Sequence, residues 1–327
     1  MRLPALVLLA AIAPVLVADD PRQWLDDMSS ALNTLDYDGT FVYLHDDRLE
    51  AMRIIHRLDN GGVRERLVSL TGSAREVVRD EKAVTCIMAD SKSVMVGQSR
   101  PRQPFPVVPS DFDTLSRTYS LEDAGEDRMA GHMTRIISIT PRDGFRYGYR
   151  YWIDQETRML LKSDVTDVNG RAIEQMMFTH LEIGHTIPED ALKPSLTGDG
   201  YAWSRQHNGK ASPAADPGTP GWRVNELPAG FQLTNFQHKR IHQDADMAEH
   251  MVFSDGLATV SVYVEKMRPD GAGFTGLSSQ GAMNAFGNIV DGYQITVVGE
   301  VPSATVEMMA QSVVRVPPVS GTAAMRK

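Results

Sequence analysis

The feature that most constrains the fold is a long succession of short segments with strand character between residues 40 and 183. Each is rich in β-branched or other apolar residues, and short turn-prone gaps such as His45-Asp46-Asp47 and Asn60-Gly61-Gly62 separate many of them. Gaps this short cannot hold a helical crossover, so the pattern predicts an antiparallel meander rather than parallel strands. The predicted strands are 40–44, 52–58, 63–70, 76–79, 84–88, 93–96, 117–121, 132–140, 145–154, 159–165 and 171–183.

Alternation of side chains is clearest over residues 145–154. There one face of the predicted strand carries Tyr147, Tyr149, Tyr151 and Ile153, and the other carries Arg146, Gly148, Arg150 and Trp152. Ahead of the strands, one amphipathic helix is predicted from the helical spacing of Trp24, Leu25, Met28, Leu32 and Leu35 behind Pro21. The first part of the chain is therefore predicted to be an α+β fold, a large curved antiparallel sheet with a helix against one face.

The N-terminus has the pattern of an export signal. Arg2 precedes an apolar run at residues 4–18, which ends at Asp19-Asp20. The run is too short to span a bilayer comfortably, so we expect a cleavable signal peptide at residues 1–18. An uncleaved N-terminal anchor is the alternative.

Residues 194–221 differ in composition from their surroundings. They are rich in Gly, Pro and Ser and hold few apolar residues, as in Pro217-Gly218-Thr219-Pro220-Gly221. Such a stretch is typical of a linker or a mobile loop. We therefore predict a large domain at 19–193, a linker at 194–221, a small α+β domain at 222–316 and a disordered tail at 317–327.

Within the small domain, early strands are predicted at 222–224, 231–238, 251–253 and 258–266, and a later strand at 293–298. Residues 281–287 are interpreted as the end of a helix or a tight turn. Pro302 is expected to open a helix. Residues 312–316 either finish that helix or form a closing strand.

Charge and cysteine content narrow the class of protein. The formal net charge is −9, so electrostatics give no reason to expect binding to nucleic acid or an anionic membrane surface. Cys86 is the single cysteine, so it can form neither an internal disulfide nor a thiolate metal cluster. Its apolar neighbours favour a buried structural thiol over a reactive one.

The sequence shows no catalytic motif. Residues 276–281 lack the spacing of a nucleophile elbow, and no phosphate-binding glycine loop is present. The pairs His238/His242 and His180/His185 straddle the ends of predicted elements, which favours ordinary surface histidines over a zinc site. We expect no catalytic residue, no metal and no cofactor.

A series of strings, in order across residues 23–316, carries a family resemblance. They are Asp38-Gly39-Thr40-Phe41-Val42-Tyr43, Arg64-Glu65-Arg66-Leu67, Arg75-Glu76-Val77-Val78-Arg79, Thr140-Pro141-Arg142-Asp143-Gly144-Phe145-Arg146-Tyr147-Gly148-Tyr149, Leu160-Leu161-Lys162-Ser163, Leu227-Pro228-Ala229-Gly230-Phe231, Phe253-Ser254-Asp255-Gly256-Leu257-Ala258, Ser261-Val262-Tyr263-Val264-Glu265 and Val297-Val298-Gly299-Glu300-Val301-Pro302. Together they resemble the RseB/MucB family of sigma-E factor regulatory proteins. One departure is Thr157-Arg158-Met159, where such proteins often have Thr-Gly-Leu, because arginine tolerates a positive φ poorly.

The resemblance implies a periplasmic negative regulator of the sigma-E envelope-stress response, and no enzyme. Such proteins bind the periplasmic region of a single-pass anti-sigma factor (RseA/MucA-like) and shield it from the first regulatory protease. Lipid or lipopolysaccharide-type ligands are thought to release them. The resemblance also implies that the large domain is an unclosed β-barrel of the LolA/LolB type with helices on its concave side. Partner contacts are expected within the small domain, 222–316. The oligomeric state is left undecided, with a homo-oligomer as one alternative.

An unclosed barrel has an apolar concave face that its helices cover imperfectly, and such a groove can accept acyl chains. The candidate lining residues are Phe41, Tyr43, Met52, Ile54, Tyr147, Tyr149 and Tyr151. The alternative is that they are ordinary core residues, because strand parity does not say which face is concave. Two other classes of function stay open: a periplasmic lipid or lipoprotein carrier, which would need only the large domain, and an enzyme that assembles its polar groups from distant positions.

Overall fold

A computed structural model describes residues 20–59, 62–99, 112–205, 219–240, 247–267, 271 and 273–317. The predicted signal peptide, 1–18, lies outside these residues, and so does the predicted tail, 317–327, apart from Pro317. None of the described helices is long and apolar enough to cross a membrane.

The N-terminal helix α1 (Pro21–Thr34) forms where the spacing of apolar residues predicts it. Asp20 caps the helix, because its side chain accepts a hydrogen bond from the backbone N–H of Arg22 at 3.0 Å, and Pro21 occupies the first turn. The buried face consists of Trp24, Leu25, Met28, Ala31 and Leu32. The helix contacts strands of the large sheet described next.

The large domain is built on one sheet of twelve strands. They are β1 (Tyr37–His45), β2 (Arg48–Asp59), β3 (Gly62–Ser69), β4 (Arg75–Arg79), β5 (Ala83–Met88), β6 (Ser93–Gln98), β7 (Tyr119–Met129), β8 (His132–Pro141), β9 (Gly148–Asp154), β10 (Leu160–Thr166), β11 (Ala172–Ile183) and β12 (Ala202–Arg205). A short helix α2 (Phe112–Leu115) precedes β7, and a 3-10 helix (Glu189–Leu192) follows β11.

The order of the strands is β12-β6-β5-β4-β3-β2-β1-β11-β10-β9-β8-β7. All neighbouring pairs are antiparallel except β12 and β6, which are parallel. The two outer strands, β12 and β7, do not pair with each other, so the sheet is an open half-barrel. Helix α1 contacts β2, β7 and β8 and therefore crosses the concave side. The predicted fold, an unclosed antiparallel sheet with helices on the concave side, is confirmed.

The hydrophobic core of the large domain fills the space between the sheet and the two helices. Trp24, Leu25 and Met28 of α1 and Phe112 and Leu115 of α2 belong to this core. From the sheet come Tyr37, Phe41, Met52, Ile54, Tyr119, Ile137, Ile139, Tyr149, Tyr151, Ile153, Leu160, Leu161, Met176, Phe178 and Leu181, joined by Met159 and by Leu32 of α1. The helices thus cover the apolar face that the sheet leaves open.

The small domain has a six-stranded antiparallel sheet in the order β14-β15-β16-β19-β18-β17 and a two-stranded pair, β13-β20. Its strands are β13 (Trp222–Val224), β14 (Gln232–Arg240), β15 (Met247–Ser254), β16 (Thr259–Lys266), β17 (Gly276–Gln280), β18 (Met283–Val290), β19 (Tyr293–Glu300) and β20 (Val313–Arg315). Helix α3 (Ser303–Gln311) packs on β17, β18 and β19. Its core is separate from that of the large domain and centres on Val260, Val262, Ile295, Val297 and Val306.

The interpretation of residues 281–287 as the end of a helix was wrong. A turn occurs at Gly281 and Ala282, and strand β18 then runs from Met283 to Val290, between β17 and β19. Gly287 lies inside this strand, and a Cβ at this position would collide with the backbone oxygen of Phe274. A glycine inside a strand breaks the alternation of apolar residues, and the interpretation of residues 281–287 depended on that alternation.

The division into two domains joined at 194–221 stays a prediction. Strand β12 shows that residues 202–205 of this stretch pair with the large sheet, which should protect their backbone from proteases. We therefore expect limited trypsin digestion to cut first after Lys210 and to release two resistant fragments. Mass spectrometry of the early fragments measures this, and first cuts within 37–183 would contradict it.

Candidate functional site

The seven candidate groove residues lie on the concave side or at its rim. Five of them belong to the packed core of the large domain: Phe41, Met52, Ile54, Tyr149 and Tyr151. Tyr43 is partly buried and packs against that core. Tyr147 is buried where the large domain meets the small one. The alternation predicted from the sequence therefore selects one real face of the sheet, and this face is filled by side chains.

Arg146 is the centre of the contact between the two domains. Its side chain is fully buried, and its Nη1 donates to Oδ2 of Asp255 in the small domain at 2.6 Å. Asp255 is equally buried and also accepts a hydrogen bond from the hydroxyl of Tyr119 at 3.1 Å. Buried charges are tolerated when they are paired and hydrogen-bonded, so this junction satisfies both ions.

A second segment of the small domain closes around the same guanidinium. Nη2 of Arg146 donates to the backbone oxygen of Ala229 at 2.6 Å, and the ring of Phe231 lies 5.3 Å from the guanidinium carbon. Gly230, between them, has φ +86°, and a Cβ there would lie 3.0 Å from Cγ2 of Thr118. The positive φ and the closeness of the Thr118 side chain therefore favour a glycine at this position.

Asp255 also shapes the turn that carries it. Its Oδ1 accepts hydrogen bonds from the backbone N–H groups of Leu257 at 2.9 Å and Ala258 at 2.8 Å. Ser254 Oγ donates to the oxygen of Ala258 at 2.8 Å, and Gly256 adopts φ +100°. This Asx turn, residues 254–258, is thus fixed by its own sequence. It projects Leu257 against the core of the large domain.

A second set of contacts joins the domains at the other end of the junction. Glu174 accepts hydrogen bonds from the hydroxyl of Tyr43 and from the backbone N–H of Ala282, both at 2.6 Å. Asn284 donates to the hydroxyl of Tyr147 at 3.0 Å. Of the candidate groove tyrosines, Tyr147 therefore bonds to the small domain directly, and Tyr43 is linked to it through Glu174 of β11.

Further polar contacts complete this end. The backbone N–H of Gly281 donates to Asp46 at 2.9 Å, and Thr305 in helix α3 donates to the backbone oxygen of Phe145 at 2.6 Å. These contacts tie the β1–β2 turn and the loop before β9 to the small domain.

Glu300, at the end of β19, is the ionisable group most affected by the junction. Burial raises its pKa to about 7, with a smaller contribution from the charge of Glu174. The charge of Glu300 in turn adds to the effect of burial in raising the pKa of Tyr149 and Tyr151. A carboxyl group of the small domain thus lies within electrostatic reach of the aromatic face.

The raised pKa of Glu300 predicts a pH dependence of stability. Between its ordinary value of 4.5 and about 7, the folded chain holds a proton that the unfolded chain has released. The contribution of Glu300 to the free energy of unfolding should therefore fall as pH rises through this window and stay level above it. Urea unfolding from pH 4.5 to 8, compared between the native chain and Glu300→Gln, measures this contribution.

Burial lowers the pKa of His56 and His250, so these histidines should make the folded chain more stable as pH rises. Both are present in the native chain and in Glu300→Gln, so their contribution cancels when the two profiles are subtracted. Glu307→Gln, on the exposed face of α3, is the matched control and should leave the pH profile unchanged. Identical profiles for the native chain and Glu300→Gln would contradict the prediction.

Two cavities open near this region. One of about 90 Å³ is lined by residues of β8, β9 and β10, including Tyr149. One of about 300 Å³ lies at the junction, between Tyr147 and Ile173 of the large domain and Leu277 and Asn284 of the small domain. The larger reaches only the lower end of the usual size range of ligand sites, and it lies beside the aromatic core rather than within it.

The histidines show no grouping with other ligands. Among the described residues, no cluster of three or more His, Cys, Asp or Glu side chains could hold a metal ion. His180 and His185 each lie near Glu182, at 3.5 and 3.6 Å, on the surface. His242 lies outside the described residues.

Sequence reasoning did not identify Arg146 and Asp255 as a pair. Alternation placed Arg146 on the face opposite the tyrosines in a strand that began at residue 145, whereas β9 begins at Gly148 and residues 142–146 form a bend. The two residues are 109 positions apart, so no local pattern links them. The available signal was that both lie inside family-like strings, Arg146 beside Tyr147 and Asp255 before a Gly-Leu pair.

Comparison with known proteins extends over both domains. A family model described as the MucB/RseB N-terminal domain matches residues 20–196, and one described as the MucB/RseB C-terminal domain matches residues 216–314. The two models together match most of the sequence.

Curated relatives and solved structures agree with these matches. The sigma factor AlgU regulatory protein MucB of Pseudomonas aeruginosa is 32% identical, over 96% of this chain and 98% of the relative. The sigma-E factor regulatory protein RseB of Haemophilus influenzae is 28% identical, over 89% of this chain and 90% of the relative. A crystal structure of MucB in complex with MucA(peri) superposes with a TM-score of 0.70 at 29% identity, and the match covers 91% of this chain and 100% of that one.

Proposed function

The chain belongs to the MucB/RseB family, and from this premise we propose that it is a periplasmic regulator of a sigma factor. In this proposal it binds the periplasmic part of a membrane anti-sigma factor and shields that part from proteolysis. A lipid or lipopolysaccharide-type ligand then weakens the complex. The regulatory names of the relatives and the MucB–MucA(peri) complex support binding to an anti-sigma factor.

The observation that carries the proposal is the junction between the half-barrel and the small domain. A buried ion pair between Arg146 and Asp255 and a second set of contacts around Glu174 hold the domains together. A simple carrier needs an accessible groove and no second domain fixed at its mouth. A regulator whose partner recognises one arrangement of two domains needs such a junction, because a ligand can then change the population of that arrangement.

The surface of the small domain supports its proposed role in partner binding. Several large apolar side chains are exposed there, as others are on the large domain, and they can supply the apolar centre that interfaces require. They are Leu233, Met247, Phe274, Leu277, Met283 and Ile289, each at least 36% exposed. We therefore propose that the anti-sigma segment contacts residues within 222–316.

A carrier of lipid or lipoprotein is the second candidate, and the apolar concave face favours it. The two proposals differ in what they require of the small domain. A carrier should extract lipid from vesicles with or without an anti-sigma segment, whereas a regulator should bind that segment and protect it from the protease.

The decisive experiment is a titration of the full mature chain with the periplasmic segment of the anti-sigma factor from the same genome. We expect saturable binding, and protection of the segment from cleavage in proportion to occupancy. Leu277→Asp should weaken binding, because it places a charge in the exposed apolar surface, while Leu49→Asp, equally exposed on the large domain, should not. Lipid extraction without binding of the segment would favour the carrier.

The ligand part of the proposal predicts negative coupling between the two binding events. A soluble lipid A-type ligand, below its micelle concentration, should weaken binding of the segment by roughly 5- to 150-fold, and the segment should weaken ligand binding by the same factor. Isothermal titration in both orders measures the two factors. Equal affinities with and without ligand, when ligand binding is shown independently, would remove the switch and leave the binding function.

A further inference from the structure

The concave core of the half-barrel includes one contact from outside its own domain. Leu257, at the tip of the 254–258 turn, packs against the core that contains Phe41, Tyr149 and Tyr151. The small domain therefore contributes an apolar side chain to the packed core of the half-barrel.

The turn that carries Leu257 is rigid and anchored at its base. Oδ1 of Asp255 holds the backbone of the turn, and its Oδ2 receives the guanidinium of Arg146 and the hydroxyl of Tyr119. One carboxylate therefore both shapes the turn and attaches it to the half-barrel. Leu257 cannot leave the core while this attachment is closed.

The attachment is nevertheless of a kind that can open. A buried ion pair gains little net free energy, because its attraction is offset by the lost hydration of both ions. When the domains separate, Arg146 and Asp255 return to water together and neither is left buried alone. Opening therefore costs much less than removing one partner by mutation.

We propose that the 254–258 turn is an internal plug of the half-barrel, seated by Leu257 and tethered by Asp255 to Arg146. An apolar chain can then bind the concave face only when the small domain has moved away from its closed position. This proposal rests on the apolar ligand of the proposed function and identifies the element that such a ligand must displace. The ligand then changes the affinity for the partner by changing how often the 254–258 turn is seated.

The test holds the two domains in the closed arrangement, and so keeps the plug seated, with a reversible crosslink at the other end of the junction. A Cβ built on Gly281 would lie 3.6 Å from Cβ of His45, across the junction, which is within the range for a disulfide. Gly281 has φ +57°, a value that a non-glycine residue can adopt. The new side chain displaces Oε1 of Glu174 from the N–H of Ala282, and the disulfide replaces that hydrogen bond as the tie across the junction. The protein is the full mature chain carrying His45→Cys and Gly281→Cys, with Cys86→Ser to remove the native thiol.

The probe is cis-parinaric acid, a fluorescent C18 fatty acid, used below its micelle concentration. We expect the oxidised protein to bind it at least about tenfold more weakly than the same protein after reduction, because the crosslink holds the plug closed. Thiol titration verifies the crosslink, and the single variant His45→Cys should be insensitive to reduction. Equal affinity in the two states would overturn the proposal. Absence of binding in both would also overturn it, because the face beneath the plug would then accept no chain.

A second variant tests the plug without a crosslink. Leu257→Ala keeps the hydrogen bonds of the turn and removes only the side chain that fills the core, so probe affinity should rise severalfold. Leu70→Ala, exposed on the large domain, is the matched control and should have no effect. An unchanged affinity in Leu257→Ala would contradict the plug.

The same crosslinked protein separates this proposal from the proposed function. If oxidation changes probe affinity and leaves affinity for the anti-sigma segment unaltered, the plug stands and the coupling fails. If the segment does not bind in either state while the probe responds to oxidation, the regulatory function fails and the plug stands.

Discussion

Asp255→Ala is expected to destabilise the closed, folded chain by about 3–5 kcal/mol. The substitution removes the only fully buried carboxylate of Arg146 among the described residues, and leaves its 0% exposed guanidinium with only the carboxylate of the partly exposed Asp143. It also removes the acceptor for two backbone N–H groups of the 254–258 turn. Urea unfolding followed by tryptophan fluorescence should report the loss, since Trp222 lies in the core of the small domain.

The matched control is the other carboxylate of the same arginine. Asp143 lies 3.0 Å from Nη2 of Arg146, but its side chain is 28% exposed and belongs to the same domain. Asp143→Ala should therefore cost no more than about 1 kcal/mol. Adding Arg146→Met to Asp255→Ala should recover much of the loss, because the buried charge that lost its interdomain partner is then gone. Equal effects of the two aspartate substitutions would contradict the buried-pair account.

Phe41→Ala is expected to lower the free energy of unfolding by about 3–5 kcal/mol. Phe41 is 6% exposed and packs edge-to-face on Phe178, with ring centroids 5.6 Å apart. Its removal leaves a cavity in the core, and the aromatic contact is lost as well. Urea unfolding at constant pH measures the change.

Leu49→Ala on the adjacent strand is the matched control and should change stability by less than about 0.5 kcal/mol, because Leu49 is 62% exposed. The comparison also decides what the candidate groove residues are in the closed protein. If Phe41→Ala left stability unchanged and abolished fatty-acid binding, Phe41 would line an open groove rather than the core.

The strands of the large domain could be predicted because their signals are local. Polar turns such as His45-Asp46-Asp47 separate β1 from β2, and the alternation of Tyr149, Tyr151 and Ile153 marks the buried face of β9. The sequence did not reveal whether that face is open to a ligand. Its covering comes from α1, α2 and Leu257, and none of these lies next to β9 in the sequence.

The turn at Thr157-Arg158-Met159 shows how context offsets a local penalty. The sequence predicts strain at Arg158, and the residue does adopt a positive φ of 64°. Its guanidinium carbon lies 3.7 Å from the ring centre of Trp24, and Nη1 donates to the backbone oxygen of Gln155 at 2.6 Å. The stacking on helix α1 compensates for the lost glycine, and this contact spans more than a hundred positions of the chain.

The elements that escaped prediction depend on contacts between distant segments. Strand β12 forms because residues 202–205 find β6, about a hundred positions earlier, and the composition of its surroundings indicates only a linker. The junction of Arg146 with Asp255 depends on docking of two domains, each with its own core. Such contacts have no period or motif, so only the folded chain reveals them.

If the proposed plug holds, the pairing of β12 with β6 raises the ligand concentration that is needed to open the junction. It anchors the connecting segment to the large sheet as far as Arg205, so the small domain is tethered only by the residues between there and Trp222. A tether this short keeps the 254–258 turn near its seat at an effective concentration in the range of about millimolar, whatever the dilution of the protein. Under the proposed plug, an apolar ligand would have to outcompete that local concentration, so a weakly binding or dilute ligand would leave the junction closed. A single cut in the tether would turn the same contact into an ordinary bimolecular equilibrium, which dilution alone could dissolve.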